Sequence, residues 1–432
     1  MQKIDITRNQ FIENPMLSWF DWPVIVLTFS SIIAYLSVRS WTNITIFLLL
    51  IPALIFLKKA WNGAYSEKQI NSILPFVVVM TLPMLAIFIS QTLRQEWALK
   101  PYDGPFRILL CIPVLFYFLH IKLNFSKIVT LSAPIALFIL IPVVYSHPEV
   151  LERWIGRFAT PAVDPTEFGT YTLVLTAFCL FSIETQADKL SLKLLVYQIA
   201  GALAGIYLLL GSGTRGSWIA IPPLLVLWVV LNRKNLPRKT LCYLGFLTVT
   251  GFAVICLLKP YTLDRIFSGI YELSSWLNGS NTETSTGLRL TMWQITWELF
   301  KHNPLKGYGD HNFQAYLHAP WIGAFASNEA TETMLYNGPH NELLANLVRS
   351  GVMGGISVLG LFLVPLTIFW RNRHMEKSKF ASHLGLAYVG SLILCSISSE
   401  VLTFKYTSSF YGLIIAGISA QIISAQTQTP RD

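Results

Sequence analysis

The stretch NGPHNELLANLVRSGVMGG, residues 337–355, joins the longest polar segment of the chain to an apolar run. A bare membrane anchor has no use for a histidine, a carboxylate and an arginine, yet His340, Glu342 and Arg349 all fall inside it. The segment reads as a membrane entry that also walls a site.

Composition supports the membrane half of that reading. Of the 432 residues, 53% are hydrophobic and only 13% are charged, against roughly 25% charged in ordinary soluble chains. A spanning helix takes about 20 mostly apolar residues. Twelve windows qualify: 22–39, 41–57, 71–92, 104–120, 128–145, 166–183, 194–211, 217–232, 239–258, 352–370, 382–398 and 403–424. The mixed residues ahead of the first window lack a small-residue cleavage site, so that window reads as a retained span and not as a signal peptide.

Lys and Arg in short loops set the orientation. Fifteen of them, from Lys58, Lys59 and Lys68 through to Lys377 and Lys379, lie on the side shared by both termini, and seven lie in the alternate short loops. Both ends are therefore expected in the cytoplasm, with the polar segment 259–351 outside. The net charge of +9 is mostly this topological bias. Basic stripes interleaved with stacking aromatics, as nucleic-acid binding would require, are missing. Cys111, Cys179, Cys242, Cys256 and Cys395 all fall in apolar windows without CxxC spacing, which suits packing and suggests neither a disulfide framework nor a zinc site.

No repeat and no low-complexity linker divides the chain, so residues 1–432 read as a single membrane domain, with 259–351 as a loop subdomain carrying part of the site. That loop is far longer than the 2 to 8 residues usual between bundle helices. It contains an Asn/Ser/Thr-rich stretch, SSWLNGSNTETSTG, of a kind that can be mobile. In GLRLTMWQITWELFKHNPLKGYG, Leu290, Trp293, Trp297 and Phe300 recur at helical spacing, and Pro304, Gly307 and Gly309 end the pattern. A second helix is expected to begin near His340. Together these make a small helical cap at the membrane surface.

The candidate chemistry clusters on the same side. The short loop GSGTRGSW, residues 211–218, is a tight polar turn whose N–H groups and Arg215 can face a phosphate; alone, Arg215 also reads as an arginine that snorkels to headgroups. Arg289 opens the amphipathic helix, and a start near Ser285 and Thr286 would leave N–H donors for an anion. Arg153 and Arg157, in LERWIGRFATPAVDPTEFG, and Arg265 are further outward guanidiniums, and several arginines with few lysines favour bidentate contact with phosphate or pyrophosphate. His340, at an expected helix start, would stay neutral and serve as a general base, although a lone interfacial histidine is also a common structural hydrogen bonder. Glu400, in SSEVLTFKY, is the candidate carboxylate for orienting His340 or balancing an arginine. Glu342 lies on a different helical face from His340 and ranks lower.

Other chemistries lack their residues. No D-x-D occurs among the eight aspartates, so acidic oxygens to hold a divalent cation on a pyrophosphate are not evident. The pairs at His302, His311 and His340 match no regular ligand spacing. No G-x-x-x-x-G-K-[ST] appears, which excludes P-loop ATP hydrolysis as an energy source. No metal and no cofactor is called for.

SGTRGSW between two spans, GLRLTMWQITWELFKHNPLKGYG in the large loop and GPHNELLANLVRSGVMGG leading into the next span resemble the O-antigen ligase family of bacterial membrane glycosyltransferases, which also includes O-antigen polymerases. The resemblance implies an all-α, GT-C-like polytopic membrane protein of about 12 transmembrane helices, with a large helical periplasmic loop between helices 9 and 10, in the bacterial inner membrane. It implies metal-independent, inverting transfer of a glycan from undecaprenyl pyrophosphate to the lipid A-core of lipopolysaccharide at the periplasmic face. Carried across, Arg215 and Arg289 hold the pyrophosphate, Arg157 and Arg265 are further candidates, and His340 acts as or helps position the base. An O-antigen polymerase shares the donor and differs in the acceptor. A lipid-linked glycan flippase would instead place ionisable residues along its spans, where Arg107 is the main charge inside a window.

Overall fold

The computed structural model describes residues 11–12, 18–60, 65–184, 192–233, 260–310 and 312–427. The expected ninth span, 239–258, lies outside the described residues, as do Lys189, Lys234, Arg238, Lys239, Cys242, Cys256 and His311. Among the described residues the chain is helical apart from turns and one β-bridge between Ile12 and Leu123. The helices are α1 (Ser18–Ile33), α2 (Trp41–Ala60), α3 (Glu67–Arg94), α4 (Asp103–Ile121), α5 (Phe125–Tyr145), α6 (Pro148–Arg153), α7 (Pro165–Glu184), α8 (Leu192–Ser212), α9 (Arg215–Ile219) and α10 (Ile221–Asn232). After the undescribed segment come α11 (Pro260–Leu277), α12 (Ser285–His302), α13 (Pro320–Gly323), α14 (Asn328–Asn337), α15 (Glu342–Asn372), α16 (Lys379–Ser396) and α17 (Lys405–Thr427).

Each described apolar window is mostly helical, and among the described residues eight helical segments are long and apolar enough to cross a bilayer, with shorter apolar helices at Trp22–Ile33 and Trp41–Leu57. The chain is a multi-pass, all-α membrane protein. Helices satisfy every backbone group internally, which is what a bilayer demands, and their prolines, such as Pro75 and Pro83 in α3, are tolerated there. Burial sorts the spans: 94% of the α17 window and 83% of the α7 window are inside the molecule, against 28% for α8. So α7 and α17 run through the centre, and α8 shows most of its surface to lipid. Between spans, water exclusion is not the driving force, and close contact over small residues takes its place. Gly201 of α8 meets Pro134 of α5, and Gly412 of α17 meets Cys111 of α4, each too closely for a Cβ.

The large loop builds a core of its own, in which Met292, Ile295 and Leu299 of α12 pack with Tyr308, Phe313, Ile322, Met334 and Val348. Each such side chain, taken fully from water, contributes about 1.5–3 kcal/mol. This corrects the expected face of α12: Trp297 is 48% exposed and lies beside the Phe300 ring, at 5.4 Å. Both stripes have helical spacing, and contact with α14 and α15 selects the one at 288, 292, 295 and 299. The SSWLNGSNTETSTG stretch is also partly regular, since Ser274–Leu277 close α11 and Trp276 Nε1 donates to Thr291 Oγ1 at 2.9 Å.

The loop is fastened to the bundle at a break in α15. Ser350 and Gly351 leave helical geometry, Gly351 with φ +62°, which frees backbone groups that NPLKGYG takes up. Tyr308 N donates to Val348 O and Gly309 N to Arg349 O, both at 2.8 Å, and Val352 N donates to Pro304 O at 2.7 Å. From the end of α3, Arg94 Nη1 donates to Lys306 O at 2.8 Å. The residues of the opening stretch thus sit on a braced kink.

Candidate functional site

Four of the sequence candidates come together. Arg157, Arg215, Arg265 and Arg289 line one small cavity with Thr166, Thr214, Ser285 and Ser398. The segment ahead of α7, the turn before α9 and the large loop therefore share one end of the bundle. Arg153, by contrast, is exposed and outside this cavity.

The turn before α9 is the floor. Gly213 adopts φ +65° and passes so close to Arg157 that a Cβ would lie 3.3 Å from its Nε, a left-handed geometry that glycine adopts without the usual steric cost. Arg157 Nε donates to Ser212 O at 2.8 Å, and Arg265 Nη2 donates to Gly213 O at 3.1 Å. Thr214 Oγ1 donates to Pro165 O at 2.8 Å, which ties the turn to the start of α7. Arg157 and Arg265 thus hold backbone oxygens as well as facing the cavity.

Arg215 and Arg289 differ from them and from each other. Arg215 Nη1 donates to Glu272 Oε1 at 3.0 Å, while its Nη2 is buried without a partner. Arg289 makes no hydrogen bond or ion pair among the described residues. Burial, and then the guanidiniums of Arg215 and Arg157, pull Arg289 below its ordinary pKa against the pull of Glu272. A guanidinium held among others in a partly desolvated site is stabilised by an anion.

The start of α12 is not open in the expected way. Thr284 caps it by accepting from Gly287 N, and Glu272 accepts from Thr286 N at 2.9 Å and from Thr286 Oγ1 at 2.6 Å. Burial opposes ionisation of Glu272, but the Thr286 hydroxyl and Arg215 outweigh it and hold the carboxyl below its ordinary value. Sequence reasoning missed Glu272. Its signal was the spacing of Arg265, Ser268 and Glu272 along one face of α11, opposite Phe267, Ile270 and Tyr271, which are 64%, 63% and 72% exposed.

His340 lies two residues ahead of α15, whose N-cap is Asn341, accepting from Leu344 N at 3.0 Å. It is not the first helical residue, and its φ of +52° puts it in the left-handed region. A non-glycine residue there costs about 1–3 kcal/mol and persists where the surroundings enforce it. Its pKa is depressed first by burial and then by Arg289, while Glu400 and Asp164 oppose the shift. Those causes, rather than a helix dipole, lower its pKa, and they put His340 within electrostatic reach of Arg289 in the arginine cluster.

Glu400 belongs to the same neighbourhood. Its Oε2 accepts from Arg349 Nη2 and from Thr403 Oγ1, both at 2.8 Å. Glu342 faces elsewhere, buried, with its Oε2 accepting from Leu402 N at 2.9 Å. Arg107 is paired with Asp103 at 3.0 Å, away from the cavity.

Residues 200–359 match the model of a family described as O-Antigen ligase. The chain is 27% identical over 204 residues to a Salmonella typhimurium protein named O-antigen ligase, which covers 44% of this chain and 46% of that protein. It is 23% identical over 367 residues to an uncharacterized protein of Haemophilus influenzae, 82% of this chain and 86% of the relative. Arg157 lies outside the family match and reaches the arginine cluster through the fold, and Glu400, also outside it, reaches the surroundings of His340. Across residues 200–359 the chain is thus similar to the O-antigen ligase family.

Proposed function

We propose that the protein is an O-antigen ligase that moves a glycan from undecaprenyl pyrophosphate to the lipid A-core of lipopolysaccharide. Arg289 carries the proposal: a guanidinium without a partner, facing a cavity lined by three more, fits the pyrophosphate of a lipid-linked donor. The acceptor hydroxyl attacks the anomeric carbon from the face opposite the leaving group, and its proton passes to the neutral imidazole of His340. The bond from the anomeric carbon to the pyrophosphate oxygen breaks, and its electron pair stays on the lipid pyrophosphate. Guanidiniums aimed at that oxygen stabilise the developing charge most where water is excluded, and the reaction calls for no metal. In this reading Glu400 orients the His340 turn, the site faces the periplasm from the inner membrane, and both termini are cytoplasmic.

The test is transfer by purified protein in EDTA, with undecaprenyl-pyrophosphate glycan and rough lipopolysaccharide, for wild type and His340→Ala. Product from wild type alone supports the reading. Chain extension only when a second lipid-linked glycan replaces lipopolysaccharide would instead make the enzyme a polymerase. Activity that needs added magnesium would sink the arginine-only mechanism.

A further inference from the structure

One arginine that lines the cavity is already engaged from within the molecule. Glu272 already holds donors that a ligand anion would use: Arg215 Nη1 at 3.0 Å, Thr286 N at 2.9 Å and Thr286 Oγ1 at 2.6 Å. The Arg215 and Glu272 side chains keep only 12% and 13% of their exposure, so separating them strands a shielded charge unless another anion arrives. The cavity beside this pair is about 40 Å³, room for a few waters, and Glu272 is the group that already engages Arg215, one of the guanidiniums lining it.

We infer that Glu272 is a specificity-determining residue, a carboxylate that holds Arg215 and the start of α12 until a diphosphate, and not a monophosphate, displaces it. The inference rests on the donor reading above. A ligand gains only the difference between the contacts it makes and those it takes from Glu272. One phosphoryl group replaces the carboxylate on Arg215 nearly one for one and leaves Glu272 stranded. A diphosphate engages Arg215 with one phosphoryl group and Arg289 with the other, and Arg289 has no internal partner to lose. Competition by a built-in carboxylate thus discriminates by penalising the smaller anion.

The test is binding of inorganic pyrophosphate and inorganic phosphate to the full chain in nanodiscs at fixed ionic strength. Wild type is compared with Glu272→Gln, Thr286→Val and Arg289→Ala. Glutamine keeps the shape of Glu272 and removes its charge; Thr286→Val deletes one hydrogen bond to the carboxylate and leaves every charge in place. Wild type should favour pyrophosphate clearly. Glu272→Gln should bind phosphate about tenfold more tightly and pyrophosphate with a smaller gain, so that the preference shrinks, and Thr286→Val should shift the same way by less. Weaker binding of both anions by Glu272→Gln, or an unchanged ratio, would make the carboxylate a strut and overturn the inference. If pyrophosphate bound wild type and Arg289→Ala alike, or neither, the donor reading would fail too. That failure shows in the Arg289 arm, not in the Glu272 ratio.

Discussion

Arg349 Nη2 donates to Glu400 Oε2 at 2.8 Å, which pins the N-terminal part of α15, just ahead of its kink, to the turn before α17. The other oxygen, Oε1, is buried without a hydrogen-bond partner and presses on Gly338, where a Cβ would lie 2.5 Å away. Glu400 is therefore held from one side and faces the turn that carries His340 from the other.

Arg349→Ala leaves the Glu400 side chain, 9% exposed, without its cation. Removing one member of a buried pair costs about 3 kcal/mol or more, whereas replacing both with apolar groups costs much less. Thermal unfolding in detergent should give a lower midpoint for Arg349→Ala than for the double variant Arg349→Met, Glu400→Leu. Equal midpoints would mean that the pair does not hold the turn.

As the proposed base, His340 would accept a proton only when neutral, so kcat/KM should rise with pH through its pKa and level off above it. That pKa is depressed, so the acid limb should lie below the ordinary histidine value of about 6.5. Glu400 raises the pKa and Arg289 lowers it. Glu400→Gln should then move the limb to lower pH and Arg289→Gln to higher pH, the latter with a large loss of rate. A pH profile that stayed in place in both variants would take His340 out of the proton step.

Arg215→Lys and Arg289→Lys keep the charge and lose the planar fork that grips two oxygens. Losing one donor aimed at developing charge costs on the order of a hundredfold in rate, and both variants should fall to about that extent in single-turnover transfer. Arg153→Ala, exposed and outside the cavity, should transfer as wild type does. Full activity in Arg289→Lys would reduce the guanidinium to a point charge.

The spans are legible in the sequence because a bilayer admits so few solutions that apolar length nearly decides the matter, and the twelve windows recover every described spanning helix. The arginines are legible as a set because they fall in segments that alternate to one side. What escapes is long-range pairing. Arg215 meets Glu272 57 positions away and Arg349 meets Glu400 51 positions away, and no spacing rule links such residues. The buried face of α12 escapes for a related reason: Leu290, Trp293, Trp297 and Phe300 have the same period as the true stripe, and only the partner helices tell them apart. α11 is too polar to read as a span and sits where the sequence reads as loop, so its inward stripe goes unnoticed.

The kink in α15 gives the last expectation. Gly351 has φ +62°, and a Cβ there would lie 2.4 Å from Leu305 O and 2.6 Å from Pro304 O. Both are backbone atoms of the 304–309 segment that braces the loop, so neither can swing aside. Gly351→Ala combines a left-handed alanine, about 1 kcal/mol or more, with a backbone clash, and the segment must part from Val352 N to relieve it. The damage should reach beyond stability, because the same segment makes the hydrogen bonds to Val348 and Arg349 next to the pair that holds the His340 turn. Limited proteolysis should cut Gly351→Ala within 304–309 at a concentration that leaves wild type whole, and transfer should fall with it. Gly323→Ala, where a Cβ meets nothing within 4 Å, is the matched control and should be neutral or stabilising by up to about 1 kcal/mol. If both variants resisted cleavage like wild type, the break in α15 would not depend on a glycine, and the loop would be held to the bundle by Arg94 and the α12 contacts instead.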